Sequence, residues 1–262
     1  MDFHTLSVSI DSHVATVTMN RPDVRNAFND TSINELALAF DELGQNDHVR
    51  AIVLAATGPA FCAGADLNWM SKMAGYSEAE NTADAARLAD MLRTLYHCPK
   101  PVVAKVQGDC YAGGMGLVAA CDIAVAAREA NFCLSEVKLG LIPATISPYV
   151  IRAMSENAAR RYFLTAERFS AQEALRIGFV HQICAADALD ADVAAIVASL
   201  VSNGPHAVAS AKVLVRDMAG QRITDDLLMD TAERIAQIRA SSEGREGVAA
   251  FLDKRKPAWL NV

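Results

Sequence analysis

The sequence predicts an α/β core followed by a helical C-terminal region. Three observations carry this prediction. Apolar, β-branched runs alternate with helical patterns along the first part of the chain, and from about residue 156 the pattern turns helical. Two stretches, VRAIVLAATGPAFCAGADL and PVVAKVQGDCYAGGMGL, repeat one plan of apolar strand, glycine-containing loop and helix. The chain has 262 residues, 52% of them hydrophobic, enough to bury a large core.

The elements follow in order. VATVTM (14–19) alternates and reads as a strand. NRPDVRNAFND supplies turn and capping residues, and Ser32 with Glu35 has the spacing of a capping box. Ile33, Leu36, Ala37, Phe40 and Leu43 make one apolar helical face. VRAIVLAA (49–56) is a strand, TGPAFCAGAD a loop, and a short helix starts at Leu67. An alanine-rich helix fills 79–97, and PVVAKVQG (101–108) is the next strand. DIAVAA (122–127) and NFCLSE (131–136) are extended. Ser170 and Glu173 form a second capping-box pattern, Gly178 closes that helix, and Gly204–Pro205 separates two later helices. These patterns divide the chain into a core, 1–200, and a helical region, 201–262.

A net charge of −7 argues against a nucleic-acid partner. Cys62, Cys98, Cys110, Cys121, Cys133 and Cys184 include no C-x-x-C pair and sit mostly in apolar stretches, so they read as buried thiols in a reducing compartment. The six histidines have no metal-ligand spacing, and no metal site is expected. MDFHTLSVSI has neither a basic region nor a long apolar run, so no membrane span is expected and a cytoplasmic location is the default.

The chemistry concentrates in DCYAGGMGLVAACD (109–122), where Gly113, Gly114 and Gly116 open a helix. Bare backbone there can approach a phosphate, receive a single oxygen atom, or let helix and strand pack closely. Gly114-x-Gly116-x-x-Ala119, with Glu136 about twenty residues on, fits a loose dinucleotide fingerprint. No second half of a doubly wound fold follows it. If the two repeated units lie side by side and parallel, both loops aim N–H groups into one crevice and build an anion hole without a charged side chain.

AFCAGADL, VQGDCYAGGMGLVAACDIAVAA, FCLSEVKLGLIP and RRYFLTAERFSAQEALRIGFV together resemble the enoyl-CoA hydratase/isomerase (crotonase) superfamily, in its order and spacing over nearly the whole chain. SEVKLGLIPATISPYVI and ADLNWM are most similar to bacterial 3-methylglutaconyl-CoA and carboxygeranoyl-CoA hydratases. The resemblance implies a crotonase-like spiral of ββα turns, with C-terminal helices that join copies into a homotrimer or a dimer of trimers. It implies an acyl-CoA thioester substrate, coenzyme A being carried as part of that substrate and no separate cofactor being needed.

By the same resemblance, the backbone N–H groups of Ala65 and Gly113 hold the thioester oxygen, and Glu136 handles protons. Arg25, Ala63, Ala65 and Leu67 face the coenzyme A moiety, and Phe251 and Lys254 touch it across a subunit boundary. A surface arginine at 25, and a plain amphipathic helix around 251–254, account for those residues equally well. Trp69, Met70, Met73, Leu139, Leu141, Ile142 and Pro143 line either the acyl pocket or ordinary core, and Pro148 shapes a loop nearby.

One departure matters. The first glutamate of two-glutamate hydratases in this family falls on Gly116 here. Hydration with help from another group, single-glutamate double-bond isomerisation, and a structural role for Glu136 are all open. So are a nicotinamide-dependent oxidoreductase and a non-catalytic CoA- or RNA-binding protein. For acid chemistry Glu136 needs an apolar pocket, with Lys138 turned outward.

Overall fold

The computed structural model describes residues 3–260. The chain opens on a hairpin of β1 (Leu6–Asp11) and β2 (Val14–Met19), paired antiparallel with Asp11 opposite Val14. Its two turn residues, Ser12 and His13, have φ of 47° and 71°. Two consecutive left-handed residues make the turn whose twist matches a hairpin.

The cap of helix α1 (Asp30–Gln45) lies three residues before the expected one. Asn29 is the cap: its side chain accepts the Ser32 N–H, and the Ser32 hydroxyl accepts the Asn29 N–H. Glu35 is therefore not a capping residue. It is 7% exposed and accepts the N–H groups of His4 and Thr5 at 2.8 Å each, together with the Thr5 hydroxyl. Burial pushes its carboxyl up, but these bonds outweigh burial and hold it below the ordinary value.

Strands β3 (Ala51–Ala56) and β4 (Ala60–Cys62) lead to α2 (Leu67–Met73) and α3 (Glu78–His97). The second unit repeats the plan: β5 (Val102–Val106), β6 (Asp109–Tyr111) and α4 (Gly113–Ala120). Then come β7 (Ile123–Ala127), β8 (Asn131–Cys133) and a 3-10 turn over Glu136–Leu139. Helix α5 (Ser147–Thr165) starts well before residue 156. Pro148, expected in a loop, stands in its first turn, where no backbone N–H is required. Ser155, at φ 71°, kinks this helix, so the sequence pattern showed only its second half. Next are β9 (Phe169–Ser170), α6 (Ala171–Arg176) and β10 (Gln182–Cys184). Ser170 caps α6 at the Glu173 N–H, but the Glu173 carboxylate turns instead to Tyr162 and Arg176.

Helix α7 (Leu189–Ser202) runs through position 200, and the break falls at Asn203–Gly204. Helices α8 (Pro205–Met218), α9 (Asp225–Ala240) and α10 (Ser242–Leu252) complete the chain. Among the described residues, no single helix is long and apolar enough to cross a membrane.

Two sheets organise the core. The larger has the order β1-β2-β3-β5-β7-β10 and is parallel except at the β1–β2 hairpin. The smaller has the order β4-β6-β8-β9. The repeated units do lie side by side: Ile52 faces Val102 in the large sheet and Cys62 faces Cys110 in the small one, both parallel. One core, including Phe40, Leu54, Phe61, Leu92 and Phe132, packs between the sheets and helices. A second joins Val53, Val103 and Val125 to Leu189, Val193 and Val197 of α7.

Candidate active site

Parallel pairing of β4 with β6 brings the two glycine-containing loops together. Gly64 has φ 94°, and a Cβ built on it would lie 2.9 Å from the Ala112 Cβ and 3.8 Å from the Gly113 nitrogen. Only glycine permits that conformation and that approach. Phe28 aligns the first loop. Its N–H donates to the Gly64 carbonyl at 2.8 Å and its carbonyl accepts the Asp66 N–H at 2.9 Å, a ladder that bypasses the Ala65 N–H. Phe28 also packs beneath the second loop, where a Cβ on Gly113 would meet its ring at 2.7 Å.

The second loop is set by Ala112, whose φ of 48° and ψ of −125° are rare for a residue with a side chain. Its N–H is tied to the Cys133 carbonyl at 2.8 Å, and its carbonyl accepts the Met115 N–H at 2.9 Å. Ala65 and Gly113 are both half-buried. Neither of their N–H groups has a protein acceptor among the described residues.

The remaining glycines of the motif have a different explanation. A Cβ on Gly114 would meet Cys62 at 2.8 Å, and a Cβ on Gly116 would lie 2.2 Å from Ile146 Cγ2. Both are buried packing notches, so the apparent dinucleotide fingerprint is produced by close contacts within the fold.

Glu136 stands three residues beyond Cys133, the β8 residue that pairs with Tyr111 and anchors Ala112. It opens the 3-10 turn, which Gly140 closes at φ 72°. Its Oε2 is buried and has no hydrogen-bond partner among the described residues. Burial pushes this carboxyl above its ordinary value, against a smaller opposing bond from its own N–H. Lys138 is exposed, as expected, and does not counter that shift.

Asp66, 4% exposed, fixes the start of α2 by accepting the Asn68 N–H at 2.8 Å and the Trp69 N–H at 3.4 Å. Arg21 donates to it at 2.8 Å. Burial raises the Asp66 carboxyl, but the Arg21 bond and the two amides hold it below its ordinary value. Trp69 is 6% exposed within the main core, and its indole N–H is buried with no hydrogen-bond partner among the described residues. Met73 packs partly buried against that core and Met70 is half-buried. Pro143 is buried, whereas Leu139, Leu141 and Ile142 are exposed and form an apolar rim beyond Glu136 with no core role.

Leu67 is 80% exposed on the loop side of α2. The Arg25 carbonyl accepts the Ala63 N–H at 3.0 Å, which joins two residues expected to face one ligand. Among the described residues, no carboxylate pairs with the exposed Arg25 side chain. A cavity of about 210 Å³ opens there, lined by Arg25, Pro59, Ala60, Ala63, Asp109 and Tyr111. Tyr111 donates to Asp109 at 2.6 Å; burial and that carboxylate push its hydroxyl up to about 12. Phe251 is 83% exposed at the end of α10, and the exposed Lys254 follows at φ 54°. Sequence reasoning missed Phe28, Asp66, Tyr111 and Ile146. Only Asp66 had a usable signal, as a capping residue directly before an apolar helical run.

Over residues 9–261 the chain matches the enoyl-CoA hydratase/isomerase family, and it belongs to that family. An enoyl-CoA hydratase structure from Shewanella pealeana superposes with a TM-score of 0.95 at 46% identity, covering 98% of this chain and 96% of that one. The enoyl-CoA hydratase ACTT6 of Alternaria alternata is 34% identical, covering 94% of this chain and 81% of its own length. A trans-2-decenoyl-[acyl-carrier-protein] isomerase of Streptococcus mutans is 27% identical, with 99% of both chains covered. The chain is an enzyme of the enoyl-CoA hydratase type on an α/β crotonase fold, and an acyl-CoA thioester is the substrate class of its family.

Proposed function

We propose that the protein adds water reversibly to an α,β-unsaturated acyl-CoA through a thioester enolate. The Ala65 and Gly113 N–H groups would receive the thioester oxygen, and Glu136 would exchange a proton with the acyl chain. The observation that carries this is the buried Glu136 Oε2 and the Ala65 and Gly113 amides of two converging loops, none of which has a protein hydrogen-bond partner among the described residues. Charge grows on the thioester oxygen as the α-carbon becomes carbanion-like, so fixed donors favour the transition state over the substrate. Arg25, Ala63 and Leu67 would take the coenzyme A moiety, with Phe251 and Lys254 contributed by a neighbouring copy.

One observation favours a second chemistry. Ile146 fills the direction in which a side chain at 116 would extend, leaving no room there for a second carboxylate. Glu136 alone can move a proton between the α- and γ-carbons, which is isomerisation. An acyl-CoA panel separates the two reactions. Hydration removes the conjugated thioester absorbance of a 2-enoyl-CoA, whereas isomerisation of a 3-enoyl-CoA creates it. Turnover of neither would overturn both.

For the acyl group we propose 3-methylglutaconyl-CoA, on the likeness of ADLNWM and SEVKLGLIPATISPYVI to hydratases of leucine degradation. The distal carboxylate of such a substrate would help place the attacking water, and the Trp69 N–H, buried with no partner among the described residues, would serve as its donor. A hydrogen bond to a charged group contributes about 1.5–3 kcal/mol. Trp69→Phe should therefore lower kcat/KM for the acid-bearing substrate by roughly 10- to 150-fold. Crotonyl-CoA turnover should hold within about threefold, because no polar acyl group is lost. Equal losses on both substrates, or equal wild-type rates with the acid and its amide, would reject the carboxylate's role.

A homotrimer, alone or stacked as a dimer of trimers, fits the C-terminal helices. Among the described residues, α8, α9 and α10 bury only Ala250, yet expose Val215, Leu228, Met229, Val248, Phe251 and Leu252. Light scattering should give three or six chain masses; a monomer would remove the subunit boundary from the proposed site.

A further inference from the structure

We propose that a second cavity, between the core and α8, binds a small organic phosphate. The cavity measures about 530 Å³. Arg152 of α5, Lys212 and Arg216 of α8, and His181 supply its basic lining, and Asp122 is its one carboxylate. Three permanent cations therefore share a cavity with a single anion, in a chain whose net charge is −7.

That anion is already engaged. Asp122 accepts the Val102 N–H and the Lys212 ammonium, both at 2.7 Å. Arg152 donates only to the Pro148 carbonyl, at 2.8 Å, and forms no ion pair among the described residues. Arg216 reaches Asp217 only at 3.9 Å, and Asp217 is held more closely by Arg234 at 2.8 Å. The His181 Nδ1 accepts the Ala124 N–H at 3.0 Å, which leaves its Nε2 as a donor.

Lys212 is tied into the fold by Asp122 and by the Lys100 carbonyl at 3.1 Å, but Arg152 and Arg216 gain no comparable partner among the described residues. Lys212 and Arg216 are four residues apart on one helix, where like charges repel. Their side chains are only 10% and 25% exposed, so water screens them poorly. The nearby His97 feels the same field: burial, then Arg216, Arg93 and Lys212, hold its imidazole below the ordinary value. A bound phosphate would offset the repulsion, and guanidinium groups suit its oxygens. The volume exceeds what phosphate alone needs. Tyr96, Tyr149, Leu200, Val208 and Val215 add an aromatic and aliphatic wall for an organic portion.

Pyrophosphate titrated calorimetrically into the full-length protein tests this. Saturable binding is expected, weakened at least about tenfold in Arg152→Ala/Arg216→Ala and unchanged within about twofold in Arg25→Ala. Neither substituted arginine belongs to the proposed catalytic site, so acyl-CoA turnover should persist in the double variant and report its fold. No saturable binding, equal affinity in the double variant, or a loss confined to Arg25→Ala would overturn the proposal. So would a change of assembly in the double variant without any pyrophosphate binding, because the cations would then serve a contact between copies.

Discussion

Glu136→Gln should lose roughly 10²- to 10⁴-fold in turnover, the range that a positioned proton-transfer group contributes. Acyl-CoA binding should change little, since the substitution removes no donor to the thioester and preserves shape. The same variant should reveal a stability effect with a definite sign. Burial raises the Glu136 carboxyl in the folded chain. Between the unfolded and folded pKa values the native state binds more protons than the unfolded state, so stability falls as pH rises through that window. Below it, both states hold the proton and the penalty vanishes. Glu136→Gln should thus melt higher than wild type at neutral pH and about equally near pH 4. A variant that turns over normally would remove Glu136 from the chemistry. One that melts lower at neutral pH would make its carboxylate a structural group.

The second large effect concerns Gly116. A methyl group there would overlap Ile146 Cγ2 at 2.2 Å and the Ile146 Cβ at 2.8 Å. Ile146 is 1% exposed and cannot swing aside into solvent. Gly116→Ala should destabilise the protein by about 1–3 kcal/mol, the usual consequence of overpacking. Ile146→Ala alone should also destabilise, by leaving a cavity of about 2–5 kcal/mol effect. Together the two changes should be less harmful than their sum, since the new methyl occupies part of the emptied space. Denaturant unfolding of the four-member cycle measures the coupling. Strict additivity would mean that the backbone relaxes around residue 116 and that Ile146 does not fix its size.

These two residues also show how far the sequence could be read. Glu136 could be singled out because its segment carries a whole motif, and the structure adds a buried Oε2 with no hydrogen-bond partner among the described residues. Gly116 was visible as a departure, but its cause was not. The residue that fills the space is thirty positions away, and a contact between α4 and the start of α5 leaves no local pattern.

The secondary structure divides along the same line. VATVTM became β2 with unchanged ends, because its alternation matches a half-buried strand. Its partner β1 escaped notice. LSVSID is mostly exposed, and the Ser12–His13 turn lacks the Asn-Gly or Asp-Gly signal. Glu35 misled for a related reason. Its spacing from Ser32 is that of a local cap, while its partners lie thirty residues back. Spacing announces local bonds and is silent about distant ones.

Ala112 carries a further consequence. Its backbone sits where side-chain-bearing residues are uncomfortable by about 1–3 kcal/mol, and the surrounding fold holds it there. The neighbouring peptide plane is consequently aimed during folding and not during encounter with a substrate. Glycine at this position would relieve the discomfort and let that plane swing. A sturdier protein would then be a slower catalyst, with robustness and rate pulling one residue in opposite directions.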